Sequence, residues 1–180
     1  MPAFESPVIR RFVEADGDEL VRAVRESYAE ISPWMVWCRS DYSLEHATAW
    51  IRATLTGHDA GTSHEFAVLD DSGQLAGACG VNHINHVDRF ANVGYWIRTS
   101  CTGRGIATAA VKALATWTFA NTHLNRLEIV VAAGNTRSDR VARKVGALRD
   151  AVLRQRMVVG GVPTDATMYS VVRETAVRAC

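Results

Sequence analysis

The sequence predicts an α/β protein built on a single mixed β-sheet with helices on its faces. Seven short segments are rich in apolar residues, as is typical of strands. In four longer segments the apolar residues recur every three or four positions, as is typical of helices. In chain order the segments give β-α-α-β-β-β-α-β-α-β-β, which indicates one layered domain. A length of 180 residues, of which 48% are hydrophobic and 22% charged, favours one folded domain over residues 1–180.

The first half of the chain is predicted to hold two helices between strands. Residues 8–12 are the first strand, and a helix begins near Asp18 and ends before Pro33, because the residue before a proline avoids helical geometry. Ser43 caps a second helix, which ends at a loop over residues 57–63. The Asp-Asp-Ser-Gly sequence at 70–73 then predicts a hairpin that joins strands 66–69 and 75–81.

The second half alternates strands and helices. Residues 93–97 are a predicted strand, followed by a glycine-containing turn and a helix that runs from Ile106 to Ala120. After a buried strand over 127–132 comes a helix capped by Asn135 and closed by Gly146. The last two strands are predicted at 148–159 and 168–172, with residues 160–163 between them.

Charge is distributed unevenly along the chain. Residues 1–97 carry 7 basic against 14 acidic residues, whereas residues 98–156 carry 11 basic against 3 acidic. The basic stretch predicts an anion site, and the acidic half favours a cationic partner such as an amine. Nucleic acid is a weaker candidate for the anion, since few aromatic residues accompany the basic ones.

Membrane insertion and metal binding are not predicted. No run of about 20 apolar residues and no signal-peptide core is present, so a cytoplasmic protein is expected. The four cysteines lack metal-site or disulfide spacing and are expected to be reduced. His83, His86 and Asp88 could in principle bind a metal, but polar loop histidines are common and no metal is expected.

The strongest local signal is the turn over residues 102–107, between a strand and a helix. Glycines at 103 and 105 let the backbone close around an anion, toward which the first N–H groups of the helix point. A P-loop is excluded because Gly105 is followed by Ile106 and not by Lys. A dinucleotide fold is disfavoured because the turn comes too late in the chain.

This pattern resembles the GNAT superfamily of N-acetyltransferases, and most of all its RimJ/RimL branch of ribosomal-protein N-terminal acetyltransferases. The resemblance rests on residues 95–97, 103–108, 135–138 and 146–147, together with the aromatic loop at 33–37. It implies a mostly antiparallel sheet flanked by about four helices.

The resemblance also implies acetyl-coenzyme A as acyl donor. In the family, the pyrophosphate loop begins with Gln or Arg, where this chain has Thr102; because backbone N–H groups do most of the binding, the loss should matter little, and Arg104 could add charge. The strand before the loop would pair with the pantetheine arm. The cofactor-binding residues implied are Tyr95, Trp96, Ile97, Arg98, Gly103, Arg104, Gly105, Ile106, Ala107, Thr108, Asn135 and Ser138.

By the same resemblance, Ser138 would protonate the departing sulfur. The alternative is a serine that only satisfies N–H groups at a helix start. Asp150 is the implied general base, with His83 and His86 as alternatives, unless Asp150 merely pairs with a neighbouring arginine. Asn92 stands where many family members have glutamate, and it cannot take a proton.

Trp34, Trp37 and His83 are predicted to contact the acceptor, although tryptophans at such positions often pack at a core edge. The expected reaction is direct attack of a primary amine, such as a protein N-terminal α-amine, on acetyl-coenzyme A within a ternary complex. A small-molecule amine acceptor and a non-catalytic coenzyme A-binding module are the alternatives. A homodimer is left open.

Overall fold

The computed structural model describes residues 9–173, which form one seven-stranded sheet. Val8 of the predicted first strand and Cys180 lie outside the described residues. The strand order in the sheet is β1-β2-β3-β4-β5-β7-β6. The strands are β1 (Ile9–Arg11), β2 (His64–Leu69), β3 (Leu75–Asn85), β4 (Phe90–Ile97), β5 (Arg126–Ala132), β6 (Leu148–Val159) and β7 (Val162–Val172).

All neighbouring strands run antiparallel except β4 and β5, which are parallel. This pair matches only over Phe90–Asn92 and Arg126–Glu128. From Val93 onward β4 remains paired with β3, and beyond Glu128 β5 remains paired with β7. The sheet therefore opens in its middle, and the predicted mixed, mostly antiparallel sheet is confirmed.

The helices cover the sheet on both faces. They are α1 (Gly17–Glu26), α2 (Tyr28–Ile31), α3 (Leu44–Ala60), α4 (Ile106–Asn121) and α5 (Thr136–Lys144). One core cluster packs α4 residues such as Ile106 and Leu114 against Ile129 of β5. A second packs Leu20 of α1 and Ile51 of α3 near Trp96 of β4.

The first predicted helix is broken in the structure. Ser27 separates α1 from α2, and its Oγ accepts a hydrogen bond from the N–H of Thr99, 72 residues away, at 3.0 Å. Because this contact is tertiary, helical periodicity could not reveal it. The structure thus has five α-helices within residues 9–173, besides the short 3₁₀ helices Glu14–Asp16 and Thr99–Cys101, where about four helices were expected.

Several boundaries also differ from the prediction. Strand β4 begins at Phe90 and not at Val93, and β2 begins at His64. Helix α3 continues past Gly57 to Ala60 and is capped by Gly61, whose φ of 69° is the left-handed geometry that glycine adopts at helix ends. Strand β3 extends to Asn85 through a bulge. Strand β7 begins at Val162, because Gly160 and Gly161, both with positive φ, form a two-residue turn.

No helix within residues 9–173 is long and apolar enough to cross a membrane.

Two histidines are packed together between α3, α4 and the sheet. The rings of His58 and His64 lie 4.6 Å apart, and both contact Trp117. Within the described residues neither Nδ1 has a hydrogen-bond partner. Burial lowers the pKa of both histidines, so the folded state favours their neutral form.

We predict that these histidines make the fold acid-sensitive. Since their pKa is lower in the folded chain than the value of about 6.5 expected in the unfolded chain, the unfolded state takes up protons first as the pH falls. Their contribution to stability is complete above about pH 6.5 and is lost below it. Thermal unfolding should show a smaller loss of Tm between about pH 7.5 and pH 5.5 for His64→Phe than for the wild type.

The exposed His86 provides the control. His86→Gln should retain the wild-type dependence of Tm on pH. An unchanged dependence in His64→Phe would show that the buried pair does not couple protons to folding.

Candidate active site

A cavity of about 750 Å³ occupies the gap between β4 and β5. Its lining includes Asn92 and Glu128, the last residues that the two strands pair. On one face it reaches the N-termini of α4 and α5, and on the other it reaches Glu30 of α2 and Trp34. The cavity therefore connects the two faces of the sheet.

The edge of β4 along this cavity has free backbone groups. The N–H of Arg98 donates to the carbonyl of Ala76 on β3 at 2.8 Å, and backbone groups alternate in direction along a strand. The N–H and C=O groups of Val93, Tyr95 and Ile97 consequently point away from β3, toward the gap. An extended ligand could pair with them as an added strand.

The glycine turn forms one end of the cavity. Gly103 and Gly105 have φ values of 77° and 83°, and nothing lies within 4 Å of the place of either Cβ. Glycine is therefore needed here for backbone conformation and not for space. The first helical hydrogen bond of α4 runs from Ala109 to Gly105, so the N–H groups of residues 106–108 remain available at the cavity wall.

Positive charge surrounds the same end, as the count by region predicted. The helix dipole of α4 adds to it, since the first turn of α4 has no acidic residue. Four basic side chains line the cavity: Arg137, Arg140, Lys144 and Arg156.

Two predicted cofactor-binding side chains lie elsewhere. Arg98 pairs with Glu26 at 2.5 Å, and Arg104 contacts Asp71 at 3.1 Å. Neither side chain belongs to the cavity lining. The remaining predicted cofactor-binding residues, from Tyr95 through Ser138, all line it.

Ser138 sits at the third position of α5, opposite β4. Its N–H donates to Oδ1 of Asn135, the cap of the helix, at 3.1 Å. Its Oγ lies 2.7 Å from the hydroxyl of Tyr95. The cap thus presents the serine hydroxyl to the gap, where a tyrosine on the strand contacts it.

Burial raises the pKa of Tyr95 to about 12. The tyrosine hydroxyl therefore keeps its proton at neutral pH. Its single O–H has two acceptors at Ser138, the Oγ at 2.7 Å and the backbone carbonyl at 3.3 Å. When it donates to the Oγ, the serine proton is free to be given to another atom.

The opposite end of the cavity is acidic and aromatic. Glu128 and Glu30 both line it, with His83 and Trp34 beside them. Trp34 reaches across toward Gly134, whose Cβ position is 3.8 Å from the indole. Glu128 is held at 2.8 Å by Arg126, and Oε2 of Glu30 accepts from Thr99 Oγ1 at 3.1 Å.

Other predicted acceptor and base residues lie outside the lining. Trp37 is 41% exposed and packs its ring 6.0 Å from that of Trp96, at a core edge. His86 is exposed on the turn after β3. Asp150 pairs with Arg126 at 2.5 Å, and this pair lowers the pKa of Asp150.

Sequence reasoning missed the two carboxyl groups of the acceptor end. Glu128 had a signal, because it is an acidic residue within the apolar strand 127–132. Glu30 had none, since a polar residue on a surface helix is ordinary. Among residues 9–173 no group of three or more potential metal ligands comes together.

Proteins with similar sequences are acetyltransferases. The chain is 28% identical over 176 residues to "Putative ribosomal N-acetyltransferase YdaF" of Bacillus subtilis (strain 168), covering 94% of this chain and 92% of that protein. It is 25% identical over 134 residues to the ribosomal-protein-serine acetyltransferase of Escherichia coli (strain K12), covering 74% of each.

Solved structures share the fold. RimL, a ribosomal L7/L12 α-N-protein acetyltransferase solved with coenzyme A, superposes with a TM-score of 0.87 at 22% identity over 95% of this chain and 96% of that one. The microcin C7 self-immunity acetyltransferase MccE, solved with acetyl-CoA and AMP, gives 0.86 at 19% identity over 94% and 93%.

The family match covers most of the chain. Residues 8–148 match the family described as Acetyltransferase (GNAT) domain. Together with the relatives above, this match confirms the predicted resemblance to the RimJ/RimL branch of the superfamily. The chain belongs to the GNAT family and is an N-acetyltransferase.

Proposed function

We propose that the protein transfers an acetyl group from acetyl-coenzyme A to the N-terminal α-amine of another protein. The observation that carries this proposal is the cavity through the sheet, which has a phosphate-binding geometry at one end and carboxyl groups at the other. The names of YdaF and of the Escherichia coli relative support a protein acceptor.

The donor would bind between β4, α4 and α5. Its pyrophosphate would accept hydrogen bonds from the N–H groups of residues 106–108, and Arg137 and Lys144 would add charge. Its pantetheine arm would pair with the free backbone groups of Tyr95 and Ile97. This pairing would place the thioester near Ser138.

The acceptor would enter from the opposite face of the sheet. Glu30 and Glu128 give that end a negative potential, which attracts an ammonium group. An α-amine, whose pKa is about 7.7–8.0, is partly neutral at pH 7 and so can attack with little help from a base. Asp150 pairs with Arg126 and does not belong to the cavity lining. Its role as the proton acceptor stays a prediction.

The reaction would proceed in one complex. The amine nitrogen bonds to the thioester carbonyl carbon, a backbone N–H of β4 stabilises the oxyanion, and the C–S bond then breaks. Ser138 gives its proton to the sulfur and recovers one from Tyr95, whose hydroxyl is 2.7 Å away, and Tyr95 regains a proton from water. The proton lost by the amine leaves to water or to the base, so the enzyme returns to its starting state.

A small-molecule amine is the second candidate acceptor. A cavity of about 750 Å³ lies within the range that encloses small ligands.

We further propose that residues 1–180 act as one domain and that the protein works in the cytoplasm. The described cysteines, Cys38, Cys79 and Cys101, are buried free thiols, as a reducing compartment permits. A homodimer stays a prediction.

Release of free coenzyme A tests the acceptor directly. We expect peptides with a free N-terminus to release thiol from acetyl-coenzyme A, at rates that depend on their first residue. A matched peptide with a blocked N-terminus and an internal lysine should release none. Turnover with small amines alone would contradict the protein acceptor, and no turnover with saturable coenzyme A binding would favour the non-catalytic module.

Replacing Gly105 with alanine should weaken coenzyme A binding, and the loss of folding stability alone should not account for this weakening. An alanine at φ 83° costs about 1–2 kcal/mol and displaces the turn. Gly61→Ala is the matched control, because Gly61 has a φ of 69°, has no atom within 4 Å of its Cβ position and does not line the cavity. Calorimetry should show reduced coenzyme A affinity only in Gly105→Ala. Equal affinities would place the pyrophosphate elsewhere.

Loss of the serine hydroxyl should act on the chemical step. We expect Ser138→Ala to lower kcat by about 100-fold or more, as loss of a general acid does, with little change in coenzyme A affinity. Ser72→Ala, in the exposed turn between β2 and β3, should leave both unchanged. A Ser138→Ala variant whose kcat falls no more than its affinity would have lost a binding contact and not an acid.

A further inference from the structure

A half-buried carboxyl group lies behind the acceptor end of the cavity. Glu65 of β2 is directly opposite Gly80 of β3, and its carboxyl group occupies the space above that glycine. A Cβ at Gly80 would lie 1.9 Å from Oε2 of Glu65. Glycine at this position thus makes room for the carboxyl group within the sheet face.

Two asparagines connect this carboxyl group to the cavity. Asn82 of β3 donates its Nδ2 to Oε1 of Glu65 at 3.1 Å. Asn92 of β4, the cross-strand partner of Asn82, donates its own Nδ2 to Oδ1 of Asn82 at 2.9 Å. The three side chains therefore form one chain of hydrogen bonds across β2, β3 and β4.

The chain has a fixed direction. Burial raises the pKa of Glu65. In its ionised form Glu65 only accepts hydrogen bonds, so it takes the N–H of Asn82 and turns the carbonyl of Asn82 toward Asn92. That carbonyl in turn takes the N–H of Asn92. Within residues 9–173 the Oδ1 of Asn92 then has no protein donor, and Asn92 lines the cavity.

The position of Asn92 suits contact with the acceptor. It belongs to the last pair before β4 and β5 separate, and its neighbour in that pair is Glu128. It shares a sheet face with Gly94 and Trp96, on the side of Glu30 and Trp34. Asn92 therefore lies on the face from which the acceptor would enter, beside the free backbone of β4.

We propose that Glu65 and Asn82 are positioning residues that hold the amide of Asn92 with Oδ1 toward the cavity, where it accepts a hydrogen bond from the acceptor amine. The amide takes no proton from the amine. It binds an N–H and so turns the nitrogen lone pair toward the thioester. This inference rests on the proposed N-acetyltransferase function and adds the residues that recognise the amine.

The kinetic test uses Glu65→Gln. Glutamine has nearly the shape of glutamate, but its amide can both donate and accept hydrogen bonds, so it no longer fixes the orientation of Asn82. A hydrogen bond of this kind is worth about 1 kcal/mol, so KM for a free N-terminal peptide should rise about 5-fold. KM for acetyl-coenzyme A and kcat should stay near their wild-type values. Glu45→Gln, which removes an exposed carboxyl group on α3, should change neither KM.

A double variant separates positioning from structure. In Asn82→Leu the chain is already broken, so adding Glu65→Gln should raise KM for the peptide no further. Independent structural damage would instead multiply the two effects. Two effects that multiply in KM, or an unchanged KM in Glu65→Gln, would overturn the proposal.

A second readout needs no turnover. In ¹⁵N-labelled protein, the side-chain amide signals of Asn92, identified by their loss in Asn92→Asp, should move in Glu65→Gln although Asn92 and Glu65 are not in contact. Unmoved signals would overturn the positioning chain. If these signals move and no peptide is acetylated, the orientation is supported and the protein acceptor is the part that fails.

Discussion

Strands β4 and β5 pair over only three residues each, and every part of the site depends on their separation after Asn92 and Glu128. Because β4 remains hydrogen-bonded to β3 and β5 to β7, each half of the sheet keeps its strand pairing although the two halves separate. The opening exposes strand backbone on one side and brings two helix N-termini to the other. A closed sheet of the same strands would have no place for an acyl donor.

The two ends of the opening differ in charge for a reason visible in the fold. The N-terminal acidic half supplies α2, and with it Glu30, to one face of the sheet. The basic second half supplies α4 and α5 to the other face, with Arg137 and Lys144. Donor and acceptor can therefore enter from opposite faces and meet at β4, as direct transfer in a ternary complex requires.

Local signals were enough for most of the fold. Gly105, Asn135 and Ser43 act within a few residues of themselves, and each marks a helix end that the structure contains. The break at Ser27 depends on a contact with Thr99 and could not be predicted from periodicity.

The residues of the site also fall into those that local sequence predicts and those that only tertiary structure brings together. The glycine turn and Ser138 are encoded in short segments, whereas the contact of Ser138 with Tyr95 and the placing of Glu128 arise only when distant strands assemble. Only the family resemblance implies Asp150 as a base, and the structure adds Arg126, which pairs with it.

The central claim is that the backbone N–H groups at the start of α4 bind the pyrophosphate of the donor. Titration of ¹⁵N-labelled protein with coenzyme A, followed by backbone amide shifts, tests it most directly. The account predicts the largest shifts at Ile106, Ala107 and Thr108, and further saturable shifts along Tyr95–Ile97, all with the same dissociation constant. Saturable binding that leaves the amides of residues 106–108 unmoved would contradict it.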